Sequence, residues 1–145
     1  NARFNAKKKT YKYKIYNNES RSPMHAYNTW WVSQKLNILD MKKASKYLLG
    51  NHDFSSFRAS GCQSLSPIKT LDKIAIIKKK NIITLTFTAR SFLYKQVRIM
   101  TGTLKDVGSG LINPAASKKI LQKKKRASSG ITAPSKGLTL YKVIY

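Results

Sequence analysis

Residues 70–90 read TLDKIAIIKKKNIITLTFTAR, and this stretch decides the fold. Over 81–90, Ile83, Leu85 and Phe87 share one face with threonines between them, the period-two pattern of a half-buried strand. Residues 70–77 form a second β-rich run. Lys78-Lys79-Lys80-Asn81 separates the two, so the stretch predicts a hairpin.

Working outward, residues 9–16, KTYKYKIY, alternate in the same way, with Tyr11, Tyr13 and Ile15 on one face and Thr10, Lys12 and Lys14 on the other. Residues 138–145, LTLYKVIY, read as a last strand. A polar loop from Asn17 to Pro23 leads to an aromatic patch, Tyr27, Trp30 and Trp31. Asn37 is placed to cap a helix with Asp40 three positions on, and Ile38, Met41, Ala44 and Leu48 repeat at helical spacing until Gly50. From Phe92 to Val107 the spacing of Leu93, Val97, Met100, Leu104 and Val107 predicts a buried helix face ended by Gly108. Asn113-Pro114 predicts the start of another helix, running to Lys123-Lys124-Lys125. The order strand, helix, strand, strand, helix, helix, strand implies an α+β domain whose largely antiparallel sheet has helices packed on one face.

The 145 residues carry 29 Lys+Arg against 5 Asp+Glu, a net charge of +24. Lysine outnumbers arginine 23 to 6, which fits an AT-rich codon bias, but such a bias does not explain the scarcity of acids. The imbalance covers the whole chain, and no acid follows Asp106. A polyanionic partner, nucleic acid above all, is the reading. The runs Lys7-Lys8-Lys9, Lys78-Lys79-Lys80 and Lys123-Lys124-Lys125 are candidate phosphate contacts, although any one run is ordinarily a solvated face. A hydrophobic fraction of 41% with 15 aromatic residues supports a core and argues against disorder. No apolar run reaches the roughly 18 residues of a membrane span. One cysteine, Cys62, and two histidines exclude an internal disulfide and a structural zinc site, and point to a reducing compartment.

Two clusters have chemical content. His52, Asp53 and Arg58 sit in NHDFSSFRASGCQSLSPIK, residues 51–69, read as a functional loop in which a His and a carboxylate could do acid/base work on RNA. In the plainer reading Asp53 caps a turn and Arg58 is its ion partner. Tyr11, flanked by Lys7, Lys8, Lys9 and Lys12, has the makings of a base-stacking platform, or is simply a core tyrosine. Arg98, within an apolar helix, needs a carboxylate or phosphate partner unless it reaches solvent.

Four blocks, ARFNAKKKTYKYKIYN, LLGNHDFSSFRASGCQSLSPIKTLD, SFLYKQVRIMTGTLKDVG and ITAPSKGLTLYKVIY, resemble the tRNA pseudouridine synthase A family (TruA-like enzymes) over nearly the whole chain. The resemblance implies a cytoplasmic, homodimeric isomerase. It needs no cofactor or metal and converts uridine to pseudouridine in the tRNA anticodon stem and loop at positions 38 to 40. It also implies roles: Tyr11 stacks on the target base, Arg98 pairs with a catalytic aspartate, and Leu138 lines the uracil pocket. The HDFSSFRA block, with Arg58, becomes a structural and RNA-facing element.

The family's nucleophile lies in a GRTDAGV motif, and none of Glu19, Asp40, Asp53, Asp72 or Asp106 stands in one. The chain opens on Asn1, and the resemblance implies the C-terminal part of a longer enzyme, inactive alone. Two other readings remain open at this point: a noncatalytic RNA-binding module of ribosomal-protein type, and a small metal-free nuclease using His52 and Asp53.

Overall fold

The alternation around residue 83 builds the centre of the sheet. In the computed structural model, which describes residues 7–62 and 64–145, strand β4 (Ile68–Lys79) turns through Lys80-Asn81 into β5 (Ile82–Ala89). Ile83, Leu85, Phe87 and Ala89 are buried, and the intervening threonines are half-exposed. Strand β1 (Lys8–Asn17) pairs antiparallel with β5, setting Tyr11 opposite Phe87, Tyr13 opposite Leu85 and Ile15 opposite Ile83. A one-residue slip would expose this whole set, so the apolar pattern pins the register. Residues 1–6, of which 2–6 open the first of the four quoted blocks, and Gln63 of the second lie outside the described residues.

The rest of the sheet extends from this pair. Beyond β4 lies β3 (Gly50–Asp53), antiparallel. On its other side β1 is flanked by two strands in succession: β6 (Leu138–Ile144), antiparallel to Lys8–Tyr13, and β2 (Trp30–Val32), parallel to Ile15–Asn17. The sheet of six strands is therefore mixed but mostly antiparallel. Helices α1 (Ile38–Lys46), α2 (Gln96–Gly108) and α3 (Ala116–Lys123) pack together and against the strands, completing the expected α+β architecture. Among the described residues no helix is long and apolar enough to cross a membrane.

Three elements depart from the sequence reading. The aromatic patch contains β2, too short to show a period. Asn17, read as opening a polar loop, is buried and holds this corner: its amide donates to the carbonyls of Val32 (2.9 Å) and Gln34 (2.6 Å). The loop of residues 51–69 is largely structural. Its first residues are β3, its last join β4, and Phe54 and Phe57 are fully buried core. Each buried ring contributes about 1.5–3 kcal/mol. The Ser56 hydroxyl between them donates to the carbonyl of Ile120 (2.6 Å) and accepts from the Lys125 amide (3.0 Å), which fastens the turn to α3.

The third departure bears on function. The helix expected from Phe92 begins at Gln96, because the chain first passes through an irregular segment in which Lys95 adopts φ +60°. The Gln96 side chain accepts from the Leu93 amide (2.8 Å) and so secures the turn that a continuous helix would have erased. The cap expected at Asn37 forms, its side chain accepting from the Asp40 amide at 3.1 Å. Asn113 also caps, but by a turn that precedes α3: its side chain accepts from the Ala115 amide at 2.9 Å.

Candidate active site

Where β1, β6 and the segment before α2 meet, they leave a hollow of about 230 Å³. That is below the roughly 300–1,000 Å³ of sites for drug-sized ligands, and suits one planar ring. Tyr11, half-buried on the helix-covered face of β1, stands edge-on to Phe92 with ring centroids 5.3 Å apart. Leu138, the first residue of β6, forms another side. Arg98, in the first turn of α2, brings a guanidinium to the same hollow, and Lys9 and Lys95 add two further cations. Tyr11, Arg98 and Leu138, to which the resemblance gives roles, thus converge from three separate elements.

Arg98 is positioned through backbone. Its Nε donates to the carbonyl of Ala133 (2.8 Å), and the Ala133 amide donates to the carbonyl of Arg98 (3.0 Å). The strap carrying Ala133 is itself anchored twice. The Gly130 amide donates to the Thr103 hydroxyl (2.9 Å), and the Tyr13 hydroxyl donates to the carbonyl of Pro134 (2.5 Å). Burial pushes the Tyr13 phenol well above its ordinary pKa, against a smaller opposing pull from Arg98, so it stays a neutral donor. At Gly102 a side chain is excluded outright: a Cβ would lie 1.8 Å from the Ile131 carbonyl oxygen.

No carboxylate forms an ion pair with Arg98 among the described residues. All five acids of the chain stand elsewhere. Asp72 pairs with Lys8 (3.6 Å), Asp106 with Lys105 (3.5 Å), Asp40 lies in the first turn of α1, and Glu19 is exposed beyond β1. The fifth, Asp53, accepts from the Ser55 hydroxyl (2.6 Å) and amide (2.9 Å), and the hydroxyl bond holds its carboxyl below the usual range.

The cluster His52, Asp53, Arg58 does not assemble. As neighbours on β3, His52 and Asp53 project to opposite faces. The His52 ring bonds the Leu49 carbonyl (2.6 Å), while Arg58 donates to the Ser64 carbonyl (2.6 Å) and makes no ion pair with Asp53. The plainer reading holds for the Asp53 turn and fails for its expected partner. Arg58 instead stiffens the loop, whose Ala59 amide donates to Tyr94 beside the hollow (3.3 Å).

The lysines also separate. Lys12, expected to flank Tyr11, lies on the other sheet face with its ammonium 3.7 Å from the centre of the Tyr141 ring. Lys7 and Lys8 are exposed at the start of β1, and only Lys9 of that run lines the hollow. The other two runs serve turns as well as charge: Lys80 in the hairpin and Lys124 after α3 both take φ +56°. Lys95 was not singled out from sequence, since the uninterrupted apolar spacing places it inside a helix. Among the described residues no three His, Cys, Asp or Glu side chains group as metal ligands.

A mostly antiparallel sheet of six strands with three helices is an architecture consistent with the pseudouridine synthase fold. The chain belongs to the tRNA pseudouridine synthase family, whose sequence model matches residues 44–145. Tyr11 precedes that match, but relatives align across both. "tRNA pseudouridine synthase A" of Anaplasma phagocytophilum (strain HZ) is 49% identical over 144 residues, 99% of this chain and 58% of that protein. The proteins of the same name from Orientia tsutsugamushi (strain Ikeda) and Thermoanaerobacter sp. (strain X514) are 48% and 46% identical, again over 99% of this chain, and over 51% and 59% of their own lengths. The chain therefore spans between half and three-fifths of the length of these relatives.

Proposed function

We propose that this chain supplies the base-holding side of a site that isomerises uridine to pseudouridine in tRNA, at positions 38 to 40 of the anticodon stem and loop. One observation carries the reading: Tyr11, Arg98 and Leu138, distant in sequence, line a single ring-sized hollow. A uracil must leave the helical stack before chemistry at its ring atoms. In the hollow it stacks on Tyr11 against Leu138, and Lys9 and Lys95 hold the flanking phosphates. A carboxylate held by Arg98 attacks C1′ and displaces N1; the base turns, C5 bonds to C1′ as the C1′–carboxylate bond breaks, the C5 proton leaves with help from the Tyr11 hydroxyl, and N1 takes up a proton. Product and substrate are isomers, so the reaction calls for no oxidant, reductant or group donor.

Because the chain's five acids stand away from the hollow, the attacking carboxylate comes from outside these residues, and the chain alone is inactive. It works in the cytoplasm within a homodimeric enzyme. Its excess of cations makes binding salt-sensitive, by roughly a thousandfold between 50 and 200 mM salt if about six phosphates are held.

The test is tritium release from tRNA labelled at uridine C5, with the chain alone and mixed with an N-terminal half from a related synthase, alongside affinities for the anticodon stem-loop and an unrelated hairpin. Release only in the mixture, with preference for the stem-loop, is the expected result. Release by the chain alone overturns the assignment of the nucleophile. Equal affinity for both hairpins with no release favours a noncatalytic RNA-binding module.

A further inference from the structure

On the far side of the strap that holds Arg98 lies a second hollow, of about 360 Å³, lined by Tyr16, Arg21, His25, Trp30, Trp31 and Lys136 among others. Both hollows border the same segment: Leu138 faces the first, Pro134 and Lys136 the second. Its walls are built in pairs. The His25 ring stacks on Tyr16 with centroids 5.0 Å apart and planes 25° apart, and the Arg21 guanidinium lies 4.6 Å above the Trp31 ring. Trp30 sets its ring edge-on to buried Tyr13 at 6.3 Å.

The walls are also fixed in place. The Trp31 indole donates to the Asn18 carbonyl (3.0 Å), and the Thr29 hydroxyl donates to the His25 carbonyl (2.5 Å). The connection between β1 and β2 is thereby held with its rings around the space. Aromatic rings beside cations, with no acid lining the hollow, form the composition that accepts an unstacked nucleobase and its phosphate. Tyr16 and His25 also border the open sheet face, where Lys12, Lys14, Lys79 and Lys80 continue the positive charge.

We propose that this hollow is a second nucleobase site, which takes an unstacked base of the bound tRNA other than the target uridine. The base enters beside the His25 and Trp31 rings, and Arg21 and Lys136 hold its phosphate. The proposal rests on the reading that RNA is the substrate. It adds a contact point separated from the target hollow by the strap of residues 133–138, so occupancy here presses on the segment that bonds Arg98.

Trp30 and Trp31 are the chain's two tryptophans, and both line this hollow, so intrinsic tryptophan emission reports on it. The experiment titrates the full chain with a single-stranded RNA pentamer, oligo(A), and follows both emission and RNA anisotropy. Saturable quenching is expected to track binding. His25→Ala and Arg21→Gln should each weaken the quenching transition about 5- to 100-fold, while Lys46→Gln, exposed on α1 and lining neither hollow, leaves it unchanged. Binding seen by anisotropy without any change in emission overturns the proposal. So does quenching that neither His25→Ala nor Arg21→Gln alters. Persistence of the quenching when stem-loop preference and tritium release both fail would retain this site and reject the modification reading. The reverse pattern would do the opposite.

Discussion

Two groups of polar residues attract notice in this sequence, and the structure treats them in opposite ways. His52, Asp53 and Arg58 are near neighbours in the chain, and each is occupied by a group close to it in sequence: the Leu49 carbonyl, Ser55 and the Ser64 carbonyl. Tyr11, Arg98 and Leu138 are far apart in the chain, yet they share one hollow. Residues adjacent in a chain readily satisfy one another's backbone, and their capacity for chemistry is used up locally. A charge that reaches the meeting point of three elements keeps donors free for a ligand. Arg98 uses Nε on the strap and meets no carboxylate among the described residues.

Substitution at the two groups offers the most direct way to break this comparison. In the assembled enzyme, Arg98→Met is expected to lower tritium release by about 100-fold or more, and Asp53→Asn by no more than about twofold. The reverse ranking would return the 52–58 cluster to candidacy.

A second test asks whether the distant group depends on the strap. Gly102→Ala sets a Cβ 1.8 Å from the Ile131 carbonyl, and neither backbone can yield as a flexible side chain would. It should destabilise the chain by about 1–3 kcal/mol, seen as a lower midpoint in thermal unfolding. His52→Ala, half-buried on β3 with its ring edge-on to Phe54 and bonded to the Leu49 carbonyl, should cost less, no more than about 1 kcal/mol. Equal effects would mean that the strap is no tighter than the loop.

What was legible follows from period and range. The β4–β5 hairpin, β1, β6 and the Asn37 cap were readable because each is encoded within a few residues. β2 escaped because three residues, Trp30–Val32, show no alternation, and its pairing depends on Asn17 reaching Val32 and Gln34. Phe54 and Phe57 were misplaced in a loop because serine-rich surroundings hide a buried turn whose partner, Ile120, is 64 residues away. The walls of the hollow beside Tyr11 were partly hidden by an overlong helix. Apolar spacing continues through Phe92–Lys95, and only the Gln96 bond to Leu93 and the left-handed Lys95 interrupt it. Leu138 was found by resemblance alone; the residues themselves pointed to Tyr11 and Arg98, but left Tyr11 equally readable as core and Arg98 without a partner.

A smaller effect sharpens the link between the two regions. Cys62 lies in the loop held by Arg58 and packed on Tyr94, whose neighbours wall the hollow. Burial pushes its thiol up, but hydrogen bonds from the Ser64 and Tyr94 backbone and from Arg58 outweigh this and leave its pKa lowered. Alkylation by iodoacetamide should therefore reach half-maximal rate below the pH of an ordinary cysteine, about 8.5. Arg58→Gln should move that midpoint upward, and an unmoved midpoint would show that Arg58 braces only the backbone.

The smallest expected effect concerns Asp53. The Ser55 hydroxyl, joined by its amide, favours the carboxylate and lowers the folded-state pKa. A depressed carboxylate pKa contributes stability that is fully present above the unfolded value, about 3.9, and lost as pH falls through the folded value. Ser55→Ala removes the larger of these causes and returns the pKa toward the unfolded one. Unfolding midpoints of the two proteins should therefore differ at neutral pH and converge as pH drops below about 4, by less than either effect above because the group is partly exposed to solvent. The hollow beside Tyr11 is lined by no acid, so Arg98→Met should leave a constant offset over the same range. A pH-dependent offset at Arg98 would mean that a carboxylate of this chain reaches it after all.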